Sequence, residues 1–226
     1  DHQLDRFYLK SDIALKRVDL KRVVRSGRGI RRTSPSSLEG GNHVQLSTVF
    51  AKHDNQDALN YGSLVHRCFE QVGWLEDFQI DRNGLLDQLK MIDPSPTTCQ
   101  SCVQDFEGMV VTDSVVQLLS HSRYQQEILP EFMVDQPVLT DAIRLEVQNE
   151  RSFAVYLGGE MMRGFVDRLV LIYEGARLVA ADLIDYKTDS VSEENLGQRV
   201  EYYRPQLNAY RMAVSLFCRL PIERVA

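Results

Sequence analysis

Asp185-Tyr186-Lys187-Thr188 follows 18 residues after Asp167, which itself stands in Gly164-Phe165-Val166-Asp167-Arg168. Two acids and a lysine at these spacings suit metal-dependent phosphodiester chemistry. Side chains alternate faces along a strand, so Asp185 and Lys187 project the same way, about 7 Å apart. Two carboxylates brought to one point repel each other unless a cation lies between them, and a divalent metal is the usual answer. A lysine beside that cation suits a phosphate. A lone D-x-K also occurs at solvated strand ends; the G-x-x-D at hairpin distance separates the two readings.

The elements that must position these residues are legible around them. Residues 165–173 are rich in β-branched and aromatic side chains, Glu174-Gly175 is a turn signal, and 178–185 is a second apolar run. Antiparallel pairing of the two runs sets Asp167 beside Asp185 and sends Asp182 to the opposite face. On a helix predicted over 58–75, Gly62, His66 and Glu70 step by four and share one side. Glycine there clears space for another backbone, and His66 offers a neutral imidazole to a metal. Glu70 could orient His66 or meet a cation directly; the bland reading is a packed or surface histidine. Gln206 and Tyr210, also four apart, lie on a helix predicted over 196–219, within reach of a phosphate, a base or a strand carbonyl unless they simply pack. Pro205 marks a kink or a new first turn in that helix.

The chain has 226 residues, 43% hydrophobic and 26% charged, which fits one globular domain with an extension. No apolar run is long enough to span a bilayer and no signal peptide opens the chain, which favours the cytoplasm. The start at Asp1 and the stop at Ala226 read as a fragment of something longer. Net charge is −6, yet residues 16–32 carry eight basic side chains against Asp19 alone, a local +7 that leaves −13 elsewhere. That stretch could follow a phosphate backbone, or serve as a solvated linker or docking segment. The division expected is a basic extension over 1–32 and one domain over 33–226. Within it, helices are also expected over 85–92 and 100–119, the latter broken at Thr112-Asp113-Ser114, and strands over 128–139 and 153–157. A short helix over 12–24 and an acidic loop over 189–195 complete the reading, which is a mixed α/β domain. Cys99-Gln100-Ser101-Cys102 has no second nearby pair to complete a zinc site, so free thiols are expected at all four cysteines. P-loop, G-x-S-x-G and H-E-x-x-H signatures are absent.

Four blocks in order, Gly62/His66/Glu70, Gly164/Asp167/Arg168, Asp185-Tyr186-Lys187-Thr188 and Gln206/Tyr210, resemble the RecB-type exonuclease branch of the PD-(D/E)-x-K nuclease superfamily. Ser34-Pro35-Ser36 is similar to the entry of the nuclease domain in AddA-like helicase-nucleases. The resemblance implies a restriction-endonuclease-like core, a central mixed sheet flanked by helices. It implies Mg²⁺, with Mn²⁺ as a substitute, held by His66, Asp167, Asp185 and the main-chain carbonyl of Tyr186. Lys187 would position or activate the attacking water, and Glu70, Arg168, Gln206 and Tyr210 would brace the site or touch DNA. The family's glutamate before its first core strand would be Glu127 or Glu131. Some relatives carry an iron–sulfur staple, but the cysteine spacing here departs from it, so none is expected.

The activity so implied is a DNA exonuclease domain acting on single strands supplied by a helicase domain or subunit in double-strand-break repair. Two other readings stay open. One is a nuclease-like module that holds DNA ends without cutting, against which Asp167, Asp185 and Lys187 all stand intact. The other is a structure-selective endonuclease on the same core.

Overall fold

The computed structural model describes residues 31–41, 52–124, 143–188 and 195–226. Four strands, β1 (Arg32–Thr33), β2 (Ile143–Leu157), β3 (Glu160–Glu174) and β4 (Arg177–Ile184), form one mixed sheet. Around it lie α1 (Lys52–Phe69), α2 (Arg82–Leu89), α3 (Pro96–Met109), α4 (Asp113–Leu119), the single turn α5 (His121–Arg123) and α6 (Leu196–Cys218). A 3₁₀ segment covers Pro35–Gly41.

β3 is the spine of the sheet. On one side β2 pairs with it antiparallel from Leu157↔Glu160 to Ile143↔Glu174. The hairpin closes through Gly158 and Gly159 at φ 60° and 87°, a left-handed pair that side chains with a Cβ rarely adopt. The other side of β3 is shared: β1 runs parallel at Met161 and Met162, and β4 runs antiparallel from Arg168 to Glu174. Among the described residues, 163–167 therefore have no partner strand on that edge. The notch between β1 and β4 is where the acids gather.

The two long strands also exchange faces partway along. In β2, Ile143, Leu145 and Val147 pack with Val170, Ile172 and Tyr124, whereas Phe153, Val155 and Leu157 pack against α6. All six positions are odd, and an unbroken strand would keep them on one face. β3 does the same, since Val170 and Ile172 face away from α6 while Met162 and Val166 face it. The flanking pairs Asn149↔Arg168 and Arg151↔Val166 place Glu150 opposite Asp167 within both windows. Glu150 takes φ 48°, a left-handed conformation for a residue with a Cβ, and that break in the pleat accompanies the exchange.

Helices cover the two faces. α1 to α4 build their own core around Leu64, Cys68, Leu89, Cys102, Val103 and Phe106. α6 lays Ala209, Tyr210, Ala213 and Val214 on Leu169, Leu171, Ala181 and Leu183. The end of α1 is tied to the sheet by polar side chains: Asn149 Nδ2 donates to the carbonyls of Glu70 (2.8 Å) and Val72 (2.9 Å), and Arg168 donates to Val72 (2.8 Å) and Gly73 (2.6 Å). Asp182 does point to the opposite face from Asp185, accepting from Arg123 and the Tyr124 hydroxyl at 2.8 Å each.

Several boundaries differ from the sequence reading. α2 has already ended at Leu89, and α3 starts at Pro96, earlier than expected, because Ser95-Pro96 initiates a helix. Ser95 caps it, accepting from the Thr98 amide at 3.3 Å, and Pro96 occupies the first turn where no amide partner is needed. α6 runs through Pro205 as one helix rather than restarting there. β2 begins ten residues before the expected Phe153, since Ile-Arg-Leu-Glu-Val-Gln alternates cleanly over 143–148. Cys68, Cys99 and Cys102 are buried as free thiols, filling the helical core. The expected helix over 12–24, the strand over 128–139, residues 189–194 of the acidic loop and all of the basic stretch before Arg31 lie outside the described residues.

Candidate active site

The β3–β4 register runs Arg168↔Ile184 at its last pair, so the next step sets Asp167 opposite Asp185. β4 ends at Ile184, and Asp185 to Thr188 continue extended beyond the sheet. The Tyr186 amide donates to Asp167 Oδ2 at 2.7 Å, which fixes that carboxylate against the chain carrying Asp185. Tyr186 turns its ring back toward α1. It stacks on Phe69 with centroids 4.9 Å apart and meets the His66 ring edge-on at 6.0 Å. Burial pushes its phenol up to about 12. The aromatic packing and the amide hydrogen bond thereby fix Tyr186, whose main-chain carbonyl is an expected ligand, between α1 and Asp167.

His66 reaches the same carboxylate from α1, with Nδ1 3.5 Å from Asp167 Oδ2. Gly62, one turn earlier, has Thr188 Oγ1 3.2 Å from where its Cβ would stand. The space that glycine clears is thus taken by a side chain, the hydroxyl of Thr188, rather than by the backbone expected. Glu70 pairs with Arg67, and its charge adds to that felt by Glu150.

Glu150 completes the group. One ligand atom each from His66, Glu150 and Asp167 lie within 4.8 Å of one another. The sequence reading passed over Glu150, although a signal for it existed: counting outward from the Gly158-Gly159 turn sets residue 150 across from 167. Whether Glu127 or Glu131 also approaches falls outside the described residues. Burial, reinforced by Asp167 and Glu70, lifts the Glu150 carboxyl to about 7. Burial also raises Asp167, with His66 opposing the shift and Asp185 adding to it. Converging acids that resist ionisation, beside an imidazole nitrogen, form a donor set suited to a divalent cation.

Lys187 lies on the other side of Asp185. Its Nζ is 2.9 Å from Asp185 Oδ2, 3.4 Å from Glu39 Oε1 on the 3₁₀ segment, and 4.7 Å from the centre of the Tyr203 ring. Burial alone would lower its pKa; Asp185 and Glu39 outweigh that and raise it, so it stays an ammonium. Gln206 and Tyr210 are both buried on α6. The Tyr210 phenol is raised by burial and then by Asp185 and Asp167, with Gln206 opposing the shift and Glu150 adding to it. Arg168, by contrast, is fully buried beneath the site with its guanidinium 5.2 Å from the Trp74 ring, away from any surface a polymer could reach.

A mixed sheet flanked by helices, with acids and a lysine gathered where β3 and β4 part, defines a restriction-endonuclease-like α/β domain. Residues 41–218 match the model of the PD-(D/E)XK nuclease superfamily, and the chain belongs to that superfamily. Membership points to metal-dependent nuclease activity. A search of curated proteins found no match. No helix among the described residues is long and apolar enough to cross a membrane.

Proposed function

We propose that the chain is a divalent-metal-dependent DNA exonuclease domain, acting on single strands fed to it by a helicase domain or subunit in double-strand-break repair. The observation that carries the nuclease reading is the convergence of His66, Glu150 and Asp167 within 4.8 Å, with Lys187 held 2.9 Å from Asp185 alongside. A binding module without catalysis has no need to keep that lysine and both acids together. The exonuclease branch is favoured by His66 on α1 and by Gln206 and Tyr210 on α6. Residues 33–226 would form the catalytic domain, with 1–32 as a basic extension, in a cytoplasmic protein.

His66, Glu150 and Asp167 would hold Mg²⁺ or Mn²⁺, with Asp185 and the Tyr186 carbonyl as further ligands. Bound there, the cation supplies Lewis-acid polarisation of the phosphate and a lowered pKa for attacking water. Lys187, kept charged by Asp185 and Glu39, donates to a phosphate oxygen where negative charge develops. Tyr210 and Gln206 brace the acids from the α6 side.

The test is cleavage of linear single-stranded DNA with Mg²⁺ or Mn²⁺ by the parent chain, Asp185→Ala and Lys187→Ala. The parent should cut and both variants should lose activity. No cleavage by the parent, or equal cleavage by all three, would sink the assignment. Cutting of a circular single strand would replace exonuclease by endonuclease.

A further inference from the structure

Past Glu150 and Asp167, the β2–β3 hairpin presents a face that no described element covers. Ser152, Ala154 and Tyr156 of β2 and Arg163 and Phe165 of β3 are all exposed there, on the side away from α6. Phe165, in the middle of β3, is 57% exposed, unusual for an aromatic residue inside paired strands, and Tyr156 near the hairpin turn is 64% exposed. Ser34, Ser152, Arg163, Gly164 and Phe165 help line a concavity of about 580 Å³, mostly apolar, with Arg163 as its cation. Among the described residues, no carboxylate lines it.

Its position follows from the register. Ser152 pairs with Phe165, two residues from Glu150 and Asp167 respectively. Two residues of strand span about 7 Å. A polymer with one phosphate at the acid cluster lays its neighbouring nucleotide at about that distance, and the pocket lies within that reach. His66 approaches from the same side of the sheet, because α1 is anchored by Asn149 and Arg168 on the face opposite α6. The support beneath is rigid. A Cβ at Gly164 would stand 3.2 Å from the Phe153 ring and 3.3 Å from Pro35 Cδ, and Phe153 is wedged against Tyr210 and Phe217.

Resting on the nuclease reading above, we propose that this pocket is the subsite for the nucleotide next to the scissile phosphate of a single DNA strand, with its base stacked on Phe165 and its phosphate at Arg163. Every base has a π-face, so such a shelf accepts any sequence. A duplex, whose bases are already stacked, cannot use it. The pocket therefore selects single strands.

The experiment uses the full chain, the exposed-site variants Phe165→Ala, Phe165→Trp and Arg163→Gln, and a single-stranded oligonucleotide carrying 2-aminopurine. Binding is read by fluorescence in EDTA, and turnover with Mg²⁺ is read on the oligonucleotide and on bis(p-nitrophenyl) phosphate, a diester too small to fill both places. Phe165→Ala should weaken oligonucleotide binding and raise KM about tenfold, and relieve 2-aminopurine quenching. Phe165→Trp should restore both. Arg163→Gln should reduce the salt slope of binding by about 1. Hydrolysis of the small diester should be unchanged in all three. Unchanged oligonucleotide affinity in Phe165→Ala overturns the subsite, as does an equal loss on both substrates. A parent that binds but hydrolyses neither substrate sinks the nuclease reading alone, and the subsite is then decided by binding.

Discussion

Arg168→Met should destabilise the fold while leaving the affinity of the folded protein for DNA unchanged. Arg168 has no exposed surface, and it donates to the carbonyls of Val72 at 2.8 Å and Gly73 at 2.6 Å. Hydrogen bonds from a charged donor contribute about 1.5–3 kcal/mol each. Two features place the loss at the low end of that sum. Val72 keeps a second donor in Asn149 at 2.9 Å, and Gly73 lies at the surface, where water can replace the guanidinium. Methionine recovers apolar contact but forfeits the interaction with Trp74, worth about 1 kcal/mol. The net cost is about 3 kcal/mol, which for a domain of this size lowers Tm by about 6–12 °C. Urea and thermal unfolding followed by circular dichroism measure it. Asn149→Ala in the same chain should cost more than the two single changes together, since Val72 then loses both donors. Unchanged stability with weakened DNA binding would refute the anchoring role and make Arg168 a DNA contact after all.

Three further outcomes follow from the site and its support. Glu150, lifted to about 7, binds a proton in the folded chain that the unfolded chain has already released, so stability falls as pH rises from the ordinary carboxylate range through 7 and is level above it. Discounted for partial exposure, urea titrations in EDTA should find the chain about 1–2 kcal/mol more stable at pH 5 than at pH 8, with Glu150→Gln flattening the difference. Glu39→Ala removes one of the two carboxylates on a part-exposed Lys187, so it should leave Tm within about 2 °C of the parent yet lower cleavage severalfold; parental turnover would count against any role for Glu39. Gly164→Ala forces a Cβ against Phe153 and Pro35, neither of which can easily yield, and should cost about 1–3 kcal/mol in thermal unfolding.

What could be read from the chain was set by regular periodicity. Asp167 beside Asp185 follows from two apolar runs and the Glu174-Gly175 turn, and Asp182 on the reverse face follows from parity alone. His66 follows from four-residue steps on α1. Glu150 escaped because strand reading assumes alternation, and at this residue the alternation changes phase. Asn149-Glu150-Arg151-Ser152 consequently resembles a polar loop, although it lies inside a fifteen-residue strand. The Glu39–Lys187 contact joins residues 148 apart, and no local pattern encodes a meeting at that range. Arg168 was conspicuous as a charge but not as a buried one, since burial depends on Val72 and Gly73 arriving from the segment that follows α1.

The phase change at Glu150 has a consequence for how such a chain can vary. Upstream of it, β2 supplies odd-numbered side chains to the layer around Trp74 and Tyr124, and downstream it supplies them to the layer beneath α6. A single-residue insertion or deletion between Glu150 and Phe153 would leave one arm of β2 in register with β3 and reverse the other: either Phe153 and Val155 turn outward, or Ile143, Leu145 and Val147 do and Glu150 slides away from Asp167. Length variation at this point therefore sacrifices either a hydrophobic layer beside the acids or the acid pair itself, and substitutions that preserve length are the changes the hairpin can absorb.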